Sequence, residues 1–163
     1  MEIGYRHIDT AQAYFNEKEV EQAIKDSGIP REEIFVTSKL WIQDFAYETA
    51  KAAGKIKSIG VSNFTPNFWK QFVPNFATMP AVNQVEFNPY FQQKEIRDLL
   101  SKDQVIIEAW APLGQGNKDL FEEPVITELA SKYGKDVGQI ILRFENQEGI
   151  VVLPKSTKKS RAV

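Results

Sequence analysis

The chain has 163 residues, of which 42% are hydrophobic and 26% charged, a composition that fits one globular domain and excludes a disordered or fibrous chain. Lys and Arg number 20 against 22 Asp and Glu, for a net charge of -2, which excludes a basic nucleic-acid footprint over the whole chain. Cysteine is absent and His7 is the single histidine, so disulfides, thiolate nucleophiles and Cys-based metal centres are ruled out, and no metal site is expected. The opening residues carry no basic stretch followed by an apolar core, and no apolar run approaches the ~18 residues of a membrane span. A cytoplasmic protein without membrane or nucleic-acid partners is expected.

Short apolar runs alternate with segments of helical period. The first run, Tyr5–Ile8, is followed by a helix that Asn16 can cap, with Glu19 at its third position, Val20, Ala23 and Ile24 on one face, and Gly28 and Pro30 as its stop. A second run spans Ile34–Thr37, and a helical pattern around Tyr47–Ala53 then leads into the run Ser58–Val61. Thr65 and Pro66 read as cap and first residue of a helix that buries Phe68, Trp69 and Phe72. After the run Ala81–Phe87, a helix is marked by Ile96, Leu99 and Leu100, and it precedes the run Val105–Trp110. Pro124 opens a helix with Val125, Ile126, Leu129, Ala130 and Tyr133 apolar and Gly134 as its C-terminal cap. Asp136 with Gln139 starts the last helix, through Ile140, Ile141 and Phe144, before the run Ile150–Leu153. The apolar runs are rich in β-branched residues and read as strands buried on both faces. Strands alternating with helices form right-handed βαβ units and a parallel sheet, so the fold class is α/β.

Parallel α/β proteins carry their chemistry at the carboxyl ends of the strands. Those ends hold Asp9, Lys39, Ser62, Asn63, Gln84, Trp110, Lys155 and Ser156, with Tyr14 five residues beyond Asp9. Each has an ordinary structural role available: an Asp9–Lys39 ion pair, a packed tyrosine, a hydrogen-bonded core histidine at His7, and amides that tie down loop backbone. Together they suggest more. A phenol has a reference pKa of ~10, an adjacent ammonium stabilises its anion, and a carboxylate holds the ammonium in place. Asp9, Lys39 and Tyr14 therefore read as a proton-donating relay for carbonyl reduction, which needs a separate hydride donor. Asn63 and Gln84 could hold a carboxamide, and Trp110 could stack on a flat ring.

Phosphate motifs discriminate further. Gly114-Gln115-Gly116 lacks the third glycine of a dinucleotide fingerprint, and in Gly149–Ser156 the position of the second P-loop glycine is Pro154, which has no N–H to offer a phosphate. The cluster Lys155, Ser156, Thr157, Lys158, Lys159 and Arg161 instead suits an isolated phosphomonoester such as a 2′-phosphate.

These stretches resemble the aldo-keto reductase family. The resemblance is carried by Gly4–Ala11 with Tyr14–Glu17, Ile34–Trp41, Gly60–Phe64, Ala81–Gln84 and Ile150–Ser156, in the family's order. It implies a (β/α)8 TIM barrel, of which this chain has material for about six strands, as a single partial domain over residues 1–163. It implies Asp9, Tyr14 and Lys39 as catalytic residues, and Ser62, Asn63, Gln84, Trp110, Lys155, Ser156 and Arg161 as the cofactor site. NADPH is the implied cofactor and a small aldehyde or ketone the implied substrate.

Against the family pattern, the glycine-rich opening strand, a strand and helix between Tyr47 and Gly54, and the final helix have no counterpart. The family's catalytic histidine lies on that central strand, and His7 belongs to a different motif. The expectation is a sequence incomplete relative to the working protein; an intact mass of 18.6 kDa for that protein would argue against it. Were the barrel incomplete, oligomerisation could cover its open edges. The alternative is a catalytically inactive nucleotide-binding or interaction module of the same family.

Overall fold

The computed structural model describes residues 3–39 and 57–156. The chain divides into two compact units, Met1–Ala46 with Lys155–Val163, and Tyr47–Pro154. The helical pattern expected around Tyr47–Ala53, and residues Thr157 to Arg161 of the basic cluster, lie outside the described residues.

The first unit contains strands β1 (His7–Asp9) and β2 (Phe35–Thr37), paired in parallel with His7 opposite Phe35 and Asp9 opposite Thr37. Helix α1 (Glu17–Asp26) connects them, as the alternation of patterns predicts. Asn16 stands at its N-cap position but makes no side-chain cap bond; its Oδ1 instead accepts from the Thr10 hydroxyl at 2.7 Å. The capping expectation fails because a buried hydroxyl competes for the same oxygen. Gly28 takes φ +65° just past the helix, the left-handed conformation that a stop requires.

The second unit is built on four parallel strands in sequential order: β3 (Gly60–Ser62), β4 (Val82–Glu86), β5 (Ile106–Trp110) and β6 (Val151–Val152). Helix α2 (Pro66–Phe72) follows β3 and is capped by Thr65, whose side chain accepts from the Phe68 N–H. Helix α3 (Lys94–Lys102) follows β4, and α4 (Lys118–Glu122), α5 (Pro124–Tyr133) and α6 (Val137–Gln147) separate β5 from β6. The capping box of Asp136 with Gln139 and the Gly134 C-cap at φ +60° form as the sequence predicts. No helix among the described residues is long and apolar enough to cross a membrane.

Register sorts the residues of β4 and β5 onto two faces, since successive side chains alternate. Val85 and Phe87, with Ile107 and Ala109, face the core built by Trp69 of α2 and Ile96 and Leu100 of α3. The opposite face carries Gln84 and Glu86 beside Glu108 and Trp110, and β3 adds Ser62 to that row.

The expectation of strands buried on both faces holds only for the centre of the sheet. Residues of β1, β2 and β3 are exposed or half-buried. Among the described residues, β1 and β2 pair only with each other, and β3 ends its sheet, so these strands lack the flanking neighbours that burial needs. The helix faces are narrower than expected too: Trp69 is buried while Phe68, Phe72, Val125 and Tyr133 stay exposed, and no residue of α1 is fully buried.

Candidate active site

In the first unit, parallel pairing brings Asp9 and Lys39 together. The ladder continues past the strand ends, with the Thr10 N–H donating to Thr37 O at 2.8 Å and the Gln12 N–H donating to Lys39 O at 3.0 Å. His7 and Asp9 on β1, and Thr37 and Lys39 on the β2 segment, therefore share one face. The His7 Nε2 lies 2.8 Å from the Thr37 hydroxyl, the ordinary hydrogen-bonded role considered for it.

The Lys39 ammonium donates to both Asp9 oxygens at 2.7 Å and to the Thr10 carbonyl at 2.8 Å. Its three hydrogens thus have three acceptors, which fixes its position. Nζ also lies 5.6 Å from the centroid of the Tyr14 ring, within cation–π range. Tyr14 sits in a single 3-10 turn, Gln12–Tyr14, that follows β1 directly, and it is 57% exposed. The structure therefore brings Asp9, Lys39 and Tyr14 into one cluster. Thr10 is its unforeseen member: it contributes a main-chain oxygen, a role that no residue type announces.

In the second unit, a hydrogen-bonded row crosses the carboxyl ends of β3, β4 and β5. Ser62 Oγ donates to the Gln84 main-chain oxygen at 3.1 Å, and the Asn63 N–H donates to the same oxygen at 2.8 Å. Asn63 adopts φ +56°, a left-handed conformation that asparagine tolerates better than most residues. Its Oδ1 accepts from the Trp110 indole N–H at 2.8 Å, so the Trp110 ring is anchored across the end of β4. The Gln84 Nε2 donates to Glu108 Oε1.

Loop backbone, whose tying was considered for the Asn63 and Gln84 side chains, is tied by Asn83 as well. Asn83 is fully buried, accepts from the Phe64 N–H at 3.3 Å and donates to the Phe64 carbonyl at 3.0 Å. The side chains of Ser62, Asn63, Gln84 and Trp110 make up a set of one hydroxyl, two carboxamides and one indole. Such a set fits a planar ring bearing a carboxamide. The sequence offered one signal for the missed Glu108, an acid inside an otherwise apolar strand run.

Gly114-Gln115-Gly116 forms a 3-10 turn with positive φ at all three residues, not the strand-to-helix turn that cradles a pyrophosphate. Gly149–Ser156 contains strand β6, as expected from its apolar centre. Lys155 and Ser156 are exposed just after it, and Arg161 lies outside the described residues.

Parallel strands linked by helices, with acidic, basic, phenolic and amide groups at their carboxyl ends, define an α/β protein of the (β/α)8-barrel type. The model of the aldo/keto reductase family matches residues 1–53 and 45–162. An aldo-keto reductase of Mycolicibacterium smegmatis is 38% identical over 202 residues, covering 99% of this chain and 73% of the relative. The glyoxal reductase of Bacillus subtilis is 39% identical over 199 residues, covering 98% of this chain and 71% of the relative. Among solved structures, an aldo-keto reductase from a Medee basin deep-sea metagenome library superposes with a TM-score of 0.93 at 37% identity, covering 99% of this chain and 74% of that one. A Bombyx mori aldo-keto reductase in complex with NADP superposes with a TM-score of 0.86 at 29% identity, covering 99% and 72% respectively. The chain belongs to the aldo/keto reductase family.

The alignment with the Mycolicibacterium protein runs over 202 residues, more than the 163 present here, so the relative carries internal residues that this chain lacks. The two stretches matching the family model meet within residues 45–53, where the strand and helix between Tyr47 and Gly54 were expected to be missing.

Proposed function

We propose that this chain is an NADPH-dependent carbonyl reductase, working as one partial barrel domain over residues 1–163 and converting small aldehydes or ketones to alcohols. The supporting observation is the Lys39 ammonium, held by two Asp9 oxygens and the Thr10 carbonyl and lying 5.6 Å from the Tyr14 ring centroid. In this reading Tyr14 gives its hydroxyl proton to the carbonyl oxygen. Lys39 stabilises the negative charge left on the phenol, and Asp9 keeps Lys39 oriented. Ser62, Asn63 and Gln84 bind the nicotinamide carboxamide and Trp110 packs on the ring, while Lys155, Ser156 and Arg161 take the 2′-phosphate. When bound, NADPH supplies the hydride that adds to the carbonyl carbon. Names of relatives such as glyoxal reductase support a small, reactive carbonyl compound as substrate.

The test is Tyr14→Phe. NADPH consumption with a simple aromatic aldehyde is expected to fall to background, while quenching of Trp fluorescence by NADPH is nearly unchanged. Unaltered turnover in this variant would remove Tyr14 as the acid.

A second reading is favoured by the internal residues that relatives carry and this chain lacks: a nucleotide-binding module without turnover. By resemblance, the family's carbonyl-orienting histidine belongs to that stretch. NADPH quenching without NADPH oxidation in the unmodified protein would select this reading over the first.

A further inference from the structure

Side chains of β4 alternate between two faces, and Asn83 falls on the face that carries Val85 and Phe87. Its neighbour Gln84 falls on the other, beside Glu108. Asn83 is therefore on the core side of the sheet, away from the row of hydroxyl, amide and indole groups, and it is fully buried. An aliphatic residue would fill such a position without the cost of taking an amide out of water. Hydrogen bonds offset that cost, and both groups of the Asn83 amide make them to a single residue. Oδ1 accepts from the Phe64 N–H at 3.3 Å, and Nδ2 donates to the Phe64 carbonyl at 3.0 Å.

The position of Phe64 explains why this matters. The β3–β4 ladder ends with the Asn63 N–H donating to the Gln84 main-chain oxygen at 2.8 Å. Phe64 lies one residue further on, where the Asn83 side chain supplies the acceptor and the donor that a neighbouring strand would. Asn63, between these two attachments, takes φ +56°. A residue other than glycine holds such a conformation where its surroundings over-determine it. Here the ladder fixes one side of Asn63 and the Asn83 amide fixes the other. Held so, Asn63 Oδ1 accepts from the Trp110 indole N–H at 2.8 Å, and Nδ2 is the end left for a ligand.

We propose that Asn83 is a positioning residue for the cofactor site. By clamping the main chain of Phe64, it holds Asn63 in the conformation that anchors the Trp110 ring. It acts through Asn63 without touching a ligand, and the inference rests on the nicotinamide role given to Asn63 above.

The test compares Asn83→Leu, Asn63→Ala and the double variant, each as the full chain. Leucine has the branching of asparagine and suits the apolar face, so the substitution removes both bonds to Phe64 without emptying the site. In ligand-free protein, the Trp110 indole N–H resonance is identified by its loss in Trp110→Phe. It is expected to shift in Asn83→Leu toward its position in Asn63→Ala. NADPH affinity, followed by calorimetry, is expected to fall roughly tenfold in each single variant, the scale of one or two lost hydrogen bonds. The double variant should bind no more than about twofold more weakly than either, because both changes act on one interaction. An indole resonance that stays in place, or losses that multiply in the double variant, would overturn the proposal and leave Asn83 a structural residue. Absence of NADPH binding by the unmodified protein would overturn the cofactor reading instead, while the indole resonance still decides the positioning.

Should Asn83→Leu not fold, hydrogen exchange in the unmodified protein decides the matter. The Phe64 amide is expected to exchange at least roughly tenfold more slowly than a free amide, with the Asn83 side-chain NH2 also protected. Free exchange at Phe64 would mean that the clamp does not exist.

Discussion

The indole N–H of Trp69 donates to the Asp103 carboxylate at 2.7 Å, joining residues 34 positions apart. Trp69 is the buried residue of α2, and Asp103 is the C-cap of α3, so one bond fixes the spacing of the two helices over the sheet. Asp103→Ala leaves the indole N–H of buried Trp69 without its side-chain acceptor; because Asp103 itself is exposed, water reaches this end of the bond, and the cost is about 0.5–1.5 kcal/mol. Asp103→Asn keeps an acceptor and costs less. Urea denaturation is expected to show a lower midpoint for the alanine variant at unchanged slope, and a shifted Trp emission maximum in the native state.

Gly60 answers a different constraint. A Cβ at this position would overlap the Val82 side chain and stand 2.9 Å from the Val82 carbonyl oxygen, its direct partner in the β3–β4 ladder. Gly60→Ala is therefore expected to destabilise the second unit by about 1–3 kcal/mol, the usual range of overpacking. Combining it with Val82→Ala removes the side-chain overlap but not the carbonyl contact. The double variant should recover part of the loss, so the two changes will not add. Thermal midpoints of the two single variants and the double variant measure the coupling.

Glu145 on α6 is fully buried, and among the described residues neither of its carboxyl oxygens has a hydrogen-bond partner. Burial alone pushes its pKa from 4.5 up to about 8. The folded chain then holds the proton over a range where the unfolded chain has lost it. Stability contributed by the neutral group is thus complete below about pH 4.5 and falls as pH rises to about 8. With solvent screening taken into account, the fall is up to about 1 kcal/mol per pH unit. Glu145→Leu removes the titration, so its stability gain over the unmodified protein should grow between pH 5 and pH 8. Urea midpoints across that range check it; a gain independent of pH would contradict the assignment.

The sequence by itself determined the type and order of the elements. Apolar runs of strand length, alternating with helical period and bounded by Pro66, Pro124, Gly134 and the Asp136–Gln139 box, carry local chemistry that acts whatever the rest of the chain does. It also placed Asp9, Tyr14 and Lys39 near strand ends, because a parallel sheet fixes where its carboxyl ends lie.

Register and competition for hydrogen bonds were decided only in three dimensions. Glu108 became the partner of Gln84 because β4 and β5 align those two residues, a fact of pairing and not of either residue's neighbours in sequence. Thr10 joined the Lys39 cluster through a carbonyl oxygen, which every residue possesses. Asn16 was drawn from capping a helix to accepting from Thr10, and Asn83, not singled out by its type, ties the Phe64 backbone through both ends of its amide. A hydrogen-bonding group has few valences, and which partner fills them depends on what the folded backbone brings within 3 Å.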